Sequence, residues 1–243
     1  MGGRGTGSGF SANQPAAVPA GPQSASEANT FTDLQSYMQS KHSVKMDDTL
    51  GALDFQSVKA IGECVDRLTQ EFPKFAPALR VIDSMTSSGN TVAQAVINGT
   101  VTVNTKYYTR RSDLETIATR DEQSRFHPAG TKADDFIAHE LGHVMETALI
   151  YRNGRKWSEW NKCTQATRVI GEAAKALKKM PEGKHPVTGR RYTIGDLVAQ
   201  VSQYAGKNRS EALAECVADY YRNGSNAKPL SREVWKVLKK ELG

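Results

Sequence analysis

The sequence has few cysteines, few aromatic residues and no long apolar run. Cys64, Cys163 and Cys216 are the only cysteines among 243 residues, and an odd, widely spaced set does not form a disulfide framework. No stretch approaches the roughly eighteen consecutive apolar residues of a membrane span. The first residues lack the apolar segment of a secretory signal. These absences predict reduced thiols, no membrane span, no secretory signal and a cytoplasmic location.

The chain is basic, but its charges are mixed. It has 32 Lys and Arg against 26 Asp and Glu, a net charge of +6. Because both signs occur along most of the sequence, this excess is weak evidence for a nucleic-acid partner. Only residues 175–192 concentrate basic residues, and no aromatic ladder accompanies them. We therefore interpret this segment as a solvated face and do not expect the protein to bind nucleic acid.

The N-terminal segment differs in composition from the rest. Residues 1–30 are rich in Gly, Ala, Pro, Ser and Gln, and they cannot bury enough apolar surface to offset the entropy of ordering. We predict a disordered tail over residues 1–30 and a single domain over residues 31–243.

The domain sequence predicts both helices and a small sheet. Apolar residues recur at helical spacing from Phe55 to Leu68. Residues 93–97 and 100–104 are β-prone and flank Asn98-Gly99, which predicts a hairpin that Tyr107 and Tyr108 extend. Helical patterns return near residues 158–179, 194–203, 209–223 and 231–242. The predicted class is α+β, with a small sheet followed by helices.

One helical segment carries a metal-binding pattern. His139-Glu140-Leu141-Gly142-His143 places two histidines four residues apart, on one face of a helix. Two such imidazoles can bind one zinc ion, and Glu140 beside them can accept a proton from a bound water. Thr131 and Asp134 predict a capping box at the start of this helix, and Asn153-Gly154 predicts its end.

A catalytic zinc site needs a third protein ligand. The other histidines are His42, His127 and His185, and none lies in a helical pattern directed at the first pair. The segment from Tyr204 to Tyr220 is a better source. Within it Glu211, Glu215 and Asp219 are four residues apart and share a helix face among Ala and Cys neighbours. Buried carboxylates need a metal or a hydrogen-bond partner.

Together these motifs resemble the zincin metallopeptidases of the anthrax lethal factor and Pro-Pro endopeptidase type. The resemblance covers residues 133–146 and 204–221, where a Tyr precedes a Glu-x-x-x-Glu helix by seven residues. It implies that His139, His143 and Glu211 bind Zn²⁺ and that Glu140 is the general base. It also implies that Tyr204 stabilises the oxyanion and that Glu215 orients a zinc histidine. The longer segment between the motifs departs from the family and leaves the substrate preference open.

Two assignments stay open at this point. Glu215 with Asp219 resembles the thermolysin-type arrangement, in which the ligand Glu is followed by an Asp that orients a histidine. In that case Glu211 is only the third residue of a capping box begun by Asn208. Tyr204 has the alternative of a packed aromatic residue. For the third ligand, two features favour Glu211: it follows Tyr204 by the seven residues seen in the family, and it lies at the N-terminus of the helix.

The resemblance implies one of two functions. The first is a zinc endopeptidase that acts on a peptide or protein substrate and is phage-encoded or an effector. The second is a non-catalytic zincin-like module that serves a phage particle or binds a partner. Phage head proteins are the candidate partners, and the location would then be virion-associated. Intact Glu140 and Tyr204 favour the first. From chain order we expect residues 100–104 to be the sheet edge along which an extended peptide pairs.

Overall fold

The computed structural model describes residues 21–96, 98–152 and 165–243. Helices surround a small mixed sheet, so the predicted α+β class is confirmed. Within the described ranges, no helix is long and apolar enough to cross a membrane. The strands are β1 (Lys45–Met46), β2 (Val81–Met85), β3 (Ala93–Val96) and β4 (Thr100–Asn104). The helices are α1 (Phe31–His42), α2 (Phe55–Glu71), α3 (Thr105–Tyr108), α4 (Arg111–Gln123), α5 (Asp135–Arg152), α6 (Gln165–Leu177), α7 (Ile194–Val201), α8 (Arg209–Asn223) and α9 (Pro229–Leu242).

The predicted hairpin is confirmed, and Gly99 explains its turn. β3 and β4 pair antiparallel, and Gly99 has a φ of 82°. A Cβ at this position would lie 2.0 Å from the carbonyl oxygen of Ala78. Only glycine fits this turn, because the site combines a left-handed backbone with a close approach to another chain segment.

Two predictions about the strand after the turn are wrong. The strand order is β1-β2-β4-β3, so residues 100–104 lie inside the sheet and β3 forms one of its two edges. β4 is interior because it also pairs in parallel with β2. Tyr107 and Tyr108 do not extend β4. The Asn104 side chain accepts a hydrogen bond from the amide of Lys106 and starts α3 instead.

The predicted extent of the disordered tail is also wrong. Residues 21–30 belong to the folded domain, where Ala25 and Ala28 are fully buried. The Ala25 amide donates to Asp66 Oδ2 at 2.8 Å, and Lys59 Nζ donates to the Ala28 carbonyl. Composition does not show this docking, because it depends on partners in α2. Residues 1–20 lie outside the described residues.

The helix boundaries predicted from the sequence are confirmed in part. Asp54 caps α2 and Asn208 caps α8. The capping box predicted from Thr131 and Asp134 is wrong: the Thr131 hydroxyl donates to the Pro128 carbonyl, and Asp134 pairs with Arg111. The predicted end of α5 at residues 153–154 and the predicted helix start at residue 158 lie outside the described residues.

α5 and α8 pack directly against each other, and this contact builds the site. Gly142 makes the close approach possible, because a Cβ there would lie 2.8 Å from Ala214 Cα. α5 is buried along most of its length, and α8 buries Ala212 to Asp219. The acidic face of α8 is thereby brought to the two histidines of α5.

Candidate metal centre

The two histidines of α5 and one carboxylate of α8 converge on a single point. His139 Nε2 and His143 Nε2 are 3.2 Å apart. Glu211 Oε2 lies 3.2 Å from each of them. Three potential ligand atoms therefore form a nearly equilateral triangle, and these residues are a group that could hold a metal ion.

The dimensions of the triangle fit zinc. Ligand bonds of 2.0–2.1 Å at tetrahedral angles place two ligand atoms about 3.3 Å apart. Glu211 Oε2 is buried and has no hydrogen-bond partner among the described residues. An orphaned carboxylate oxygen between two imidazole nitrogens is the arrangement that a divalent cation satisfies. Two histidines and a glutamate are a known donor set for catalytic zinc.

The Glu211 carboxylate is stabilised as an anion by the two imidazoles. Burial alone would raise its pKa, but the imidazoles of His139 and His143 hold that pKa well below its usual range. The backbone amide of Glu211 donates a hydrogen bond to Oδ1 of the capping residue Asn208 at 2.9 Å, while the carboxylate points at the histidines. The backbone of Glu211 thus serves the helix start and its side chain serves the site.

The orientation of His139 is set by Glu215. His139 Nδ1 lies 2.7 Å from Glu215 Oε1, and the Ser202 hydroxyl donates to Glu215 Oε2 at 2.7 Å. Burial would raise the pKa of Glu215, yet contacts with His127 and His139 lower it to about 2. The pKa of His139 is raised to about 10, because its contacts with Glu211 and Glu215 outweigh the effect of burial. Glu215 therefore remains an anion that directs His139 Nε2 toward the triangle.

His143 is oriented by a different pair, which the sequence did not reveal. Its Nδ1 is 3.1 Å from Ser210 Oγ, and that hydroxyl donates to Glu146 Oε2. Because the Ser210 proton is directed to Glu146, Ser210 Oγ can accept from His143 Nδ1–H. This tautomer leaves the Nε2 lone pair free for a metal. The one signal for this pair in the sequence was Glu146, an acidic residue on the apolar side of α5.

Glu140 lies between the two histidines and the edge of the sheet. Its Oε2 accepts a hydrogen bond from the Ala95 amide of β3 at 2.6 Å. The carboxylate is therefore held at the wall of the cleft that His139, His143 and Glu211 also line. A base in this cleft could reach a water bound to a metal at the triangle.

Tyr204 borders the same point from the other side. Its hydroxyl donates to Glu211 Oε1 at 3.3 Å and accepts from Lys207 Nζ at 3.1 Å. Its ring centroid is 5.7 Å from that of His139. Burial raises the pKa of Tyr204 above its usual value, so the hydroxyl keeps its proton and can donate it in a hydrogen bond. Lys207 was missed by the sequence analysis.

Asp219 has a different role from the other two acids of α8. Its Oδ1 accepts from the Asn223 side chain and its Oδ2 accepts from the Lys228 amide. Both oxygens thus hold the connection between α8 and α9. These contacts favour Glu211 over Glu215 as the third ligand, since they leave Asp219 without a histidine to orient.

The remaining histidines lie in three different places. His127 Nδ1 is 2.8 Å from Glu215 Oε1, so this residue belongs to the surroundings of the site and was missed. No spacing rule could reveal it, because it lies in the loop between α4 and α5. His42 contacts Asp66 at 2.6 Å, and His185 lies in the basic segment.

The triangle opens into a cleft that runs along β3. The cleft has a volume of about 830 Å³ and is bounded by β3, α5 and the start of α8. A second cavity of about 560 Å³ continues past His127 and Phe136. The triangle and the edge strand therefore line the same cleft.

Comparisons of the chain with family models, with curated proteins and with solved structures return no match.

Proposed function

We propose that the protein is a zinc-dependent metalloendopeptidase with a zincin-like catalytic centre. The observation that carries this proposal is the triangle of His139, His143 and Glu211, with Glu140 beside it and an edge strand along the cleft. Zinc held there would supply Lewis acidity and would lower the pKa of a bound water to about 7. This combination is suited to hydrolysis of an amide bond.

The chain supplies the groups that move and stabilise charge. Glu140 accepts a proton from the attacking water and passes it to the leaving amine. Tyr204, kept protonated, donates to the oxyanion that forms at the former carbonyl. Glu215 and the Ser210–Glu146 pair keep the two histidines from rotating. Each of these groups has a fixed partner in the structure.

The substrate class follows from the shape of the cleft. β3 is the edge strand, and the Ala95 amide faces the cleft instead of β4. A peptide in extended conformation can add to such an edge through main-chain hydrogen bonds once Glu140 has released the Ala95 amide. A peptide or protein chain, bound along residues 93–96, is therefore the substrate that the geometry favours.

The test combines metal content with cleavage. Purified protein should contain one zinc per chain, and a mixed peptide library should show internal cleavage that a chelator abolishes and zinc restores. Glu140→Gln should keep the zinc and lose the cleavage, because an amide cannot act as a base. Glu115→Gln on the surface of α4 is the matched control and should cleave normally.

Two results would contradict the proposal. Wild-type protein without zinc would reject the metal centre itself. Zinc-loaded protein that cleaves no peptide would reject the peptidase and leave the non-catalytic zincin-like module of a phage particle as the interpretation. In that case binding to phage head proteins would be the next measurement.

A further inference from the structure

His127 is joined to the candidate metal centre by a single oxygen atom. Its Nδ1 lies 2.8 Å from Glu215 Oε1, and the same oxygen lies 2.7 Å from His139 Nδ1. Glu215 has no exposed surface. One buried carboxylate oxygen thus connects two imidazoles, of which only His139 belongs to the triangle.

We propose that His127 is a positioning residue of the metal centre, which acts by fixing Glu215 and, through it, the ring of His139. The inference rests on the proposed zinc site. Ser202 holds Glu215 Oε2 and His127 holds Oε1, so the carboxylate cannot rotate about its own axis. A carboxylate fixed in this way presents one constant acceptor to His139. Groups that orient a metal histidine contribute to metal affinity even though they never touch the ion.

The ring of His127 is itself held in place. It packs edge-on against Phe126, Phe136 and Tyr204, with ring centroids 5.0, 5.6 and 5.6 Å away. Its Nε2 faces Asp121 Oδ2 at 3.8 Å. A ring confined by three aromatic neighbours can transmit its position to Glu215. Only a confined side chain can position another group.

His127 could instead be a ligand, since His127, His139 and Glu215 also form a group able to hold a metal. The distances argue against it. Glu215 Oε1 makes a hydrogen bond with His127 Nδ1 at 2.8 Å and lies in ion-pair contact with His139 Nδ1 at 2.7 Å. Both distances are shorter than the roughly 3.3 Å between two ligands of tetrahedral zinc. The Ser202 hydroxyl accepts from the Ala205 amide, so its proton is directed at Glu215. Both oxygens of Glu215 therefore have a hydrogen-bond partner, Ser202 for Oε2 and His127 for Oε1, and the 3.2 Å triangle is the better metal site.

The experiment replaces His127 by two amide side chains of different length, Asn and Gln. In His127→Asn the side-chain nitrogen stands near the position of Nδ1 and can still donate to Glu215. In His127→Gln the nitrogen extends toward the position of Nε2 and cannot. Zinc affinity is measured by competition with a chelator, and the visible absorption of the Co²⁺-loaded protein reports the ligand geometry. Circular dichroism checks the fold of each variant.

We expect His127→Gln and His127→Leu to weaken zinc binding by about 10- to 100-fold and to change the Co²⁺ spectrum. His127→Asn should retain most of the wild-type affinity and spectrum. His185→Gln, a change outside the metal centre, should behave as wild type. If the Leu variant does not fold, the Asn and Gln pair carries the test, because the two amides differ by one methylene.

Three results would overturn the inference. If Asn weakens binding as far as Leu, the imidazole itself is needed and His127 is a ligand. If none of the variants alters affinity or spectrum, His127 only packs. If the wild type binds neither zinc nor cobalt, the metal centre and its positioning residue are both rejected, and this result is known before any variant is made.

Discussion

Gly142 and Ala214 meet where α5 crosses α8, and a Cβ at residue 142 would lie 2.8 Å from Ala214 Cα. The glycine stands between Glu140 and His143 in the sequence. Its missing side chain lets α8 approach closely enough for Glu211 to reach both histidines. The Gly of this motif is therefore a packing residue that sets the distance between Glu211 on α8 and the two histidines on α5.

Gly142→Ala should destabilise the fold and weaken metal binding. The new methyl group meets backbone, which cannot move aside as a flexible side chain can, and such overpacking costs about 1–3 kcal/mol. Urea unfolding measures the loss, and chelator competition measures zinc affinity. Gly171→Ala in α6 is the control, because nothing lies within 4 Å of its added Cβ. It should stabilise the helix by about 0.5–1 kcal/mol, and an equal effect of both changes would contradict this account.

Glu211→Ala and Glu215→Ala should separate the ligand from the residue that orients it. Glu211→Ala removes one corner of the triangle and should abolish stoichiometric zinc. Glu215→Ala should reduce affinity by about 10- to 100-fold and also destabilise the fold, because it leaves buried donors unpaired. Isothermal titration with zinc compares the two. The assignment is rejected if Glu215→Ala empties the site while Glu211→Ala retains zinc.

Tyr204→Phe should lower turnover about a hundredfold or more, with substrate binding less affected. The change removes the hydroxyl that would donate to the oxyanion and leaves the ring packed. Steady-state kinetics on a cleaved peptide separate kcat from KM. Tyr107→Phe is the control, because the Tyr107 hydroxyl donates to the Gly89 carbonyl outside the metal centre. An unchanged kcat would show that Tyr204 is only a packing residue.

Truncation should distinguish residues 1–20 from residues 21–30. Removal of residues 1–20 should leave the melting temperature and zinc content unchanged, as expected for a segment without core-forming residues. Removal of residues 1–30 should destabilise the domain by about 1–3 kcal/mol, because Asp66 loses the Ala25 amide and the pocket of Ala25 and Ala28 is opened. Thermal unfolding of the two truncations tests this directly. Equal melting temperatures would contradict the docking.

Lowering the pH should weaken the docking of residues 21–30 on α2. Burial alone would raise the pKa of Asp66, but hydrogen bonds from His42, the Ala25 amide and Tyr37 lower it below its usual value. A lowered carboxyl pKa contributes stability above the unfolded value of about 4, and this is lost as the pH falls through the folded value. Asp66→Asn should therefore be less stable at neutral pH and should depend less on pH below about 4. Melting temperatures between pH 2 and 7 would show parallel curves if Asp66 makes no such contribution.

The motifs were predictable because their geometry is local. His139 and His143 share a helix face by spacing alone, and so do Glu211 and Glu215. The hairpin was equally local, since Asn98-Gly99 selects the turn. In each case the residues that define the motif are close in sequence, within one or two helical turns or within one hairpin.

The wrong predictions concern contacts between distant segments. Chain order suggested β4 as the edge, but pairing with β2 places it inside the sheet. Composition assigned Ala25 to the tail, although its amide finds Asp66. His127 reaches Glu215 across 88 positions in the sequence. These contacts join β4 to β2, the N-terminal segment to α2 and the loop after α4 to α8, and no pattern within a single segment encodes them.

The contact between Glu140 and the Ala95 amide should also reduce self-association through the edge strand. An exposed edge strand offers unpaired backbone donors to the edge of another copy, and such edges are sites of aggregation. Here Glu140 occupies the outward amide at the middle of β3 and places a negative charge beside it. Glu140→Gln retains an oxygen that can accept this hydrogen bond, whereas Glu140→Ala leaves the amide open. A solubility difference between these two variants would come from the edge strand and not from the metal.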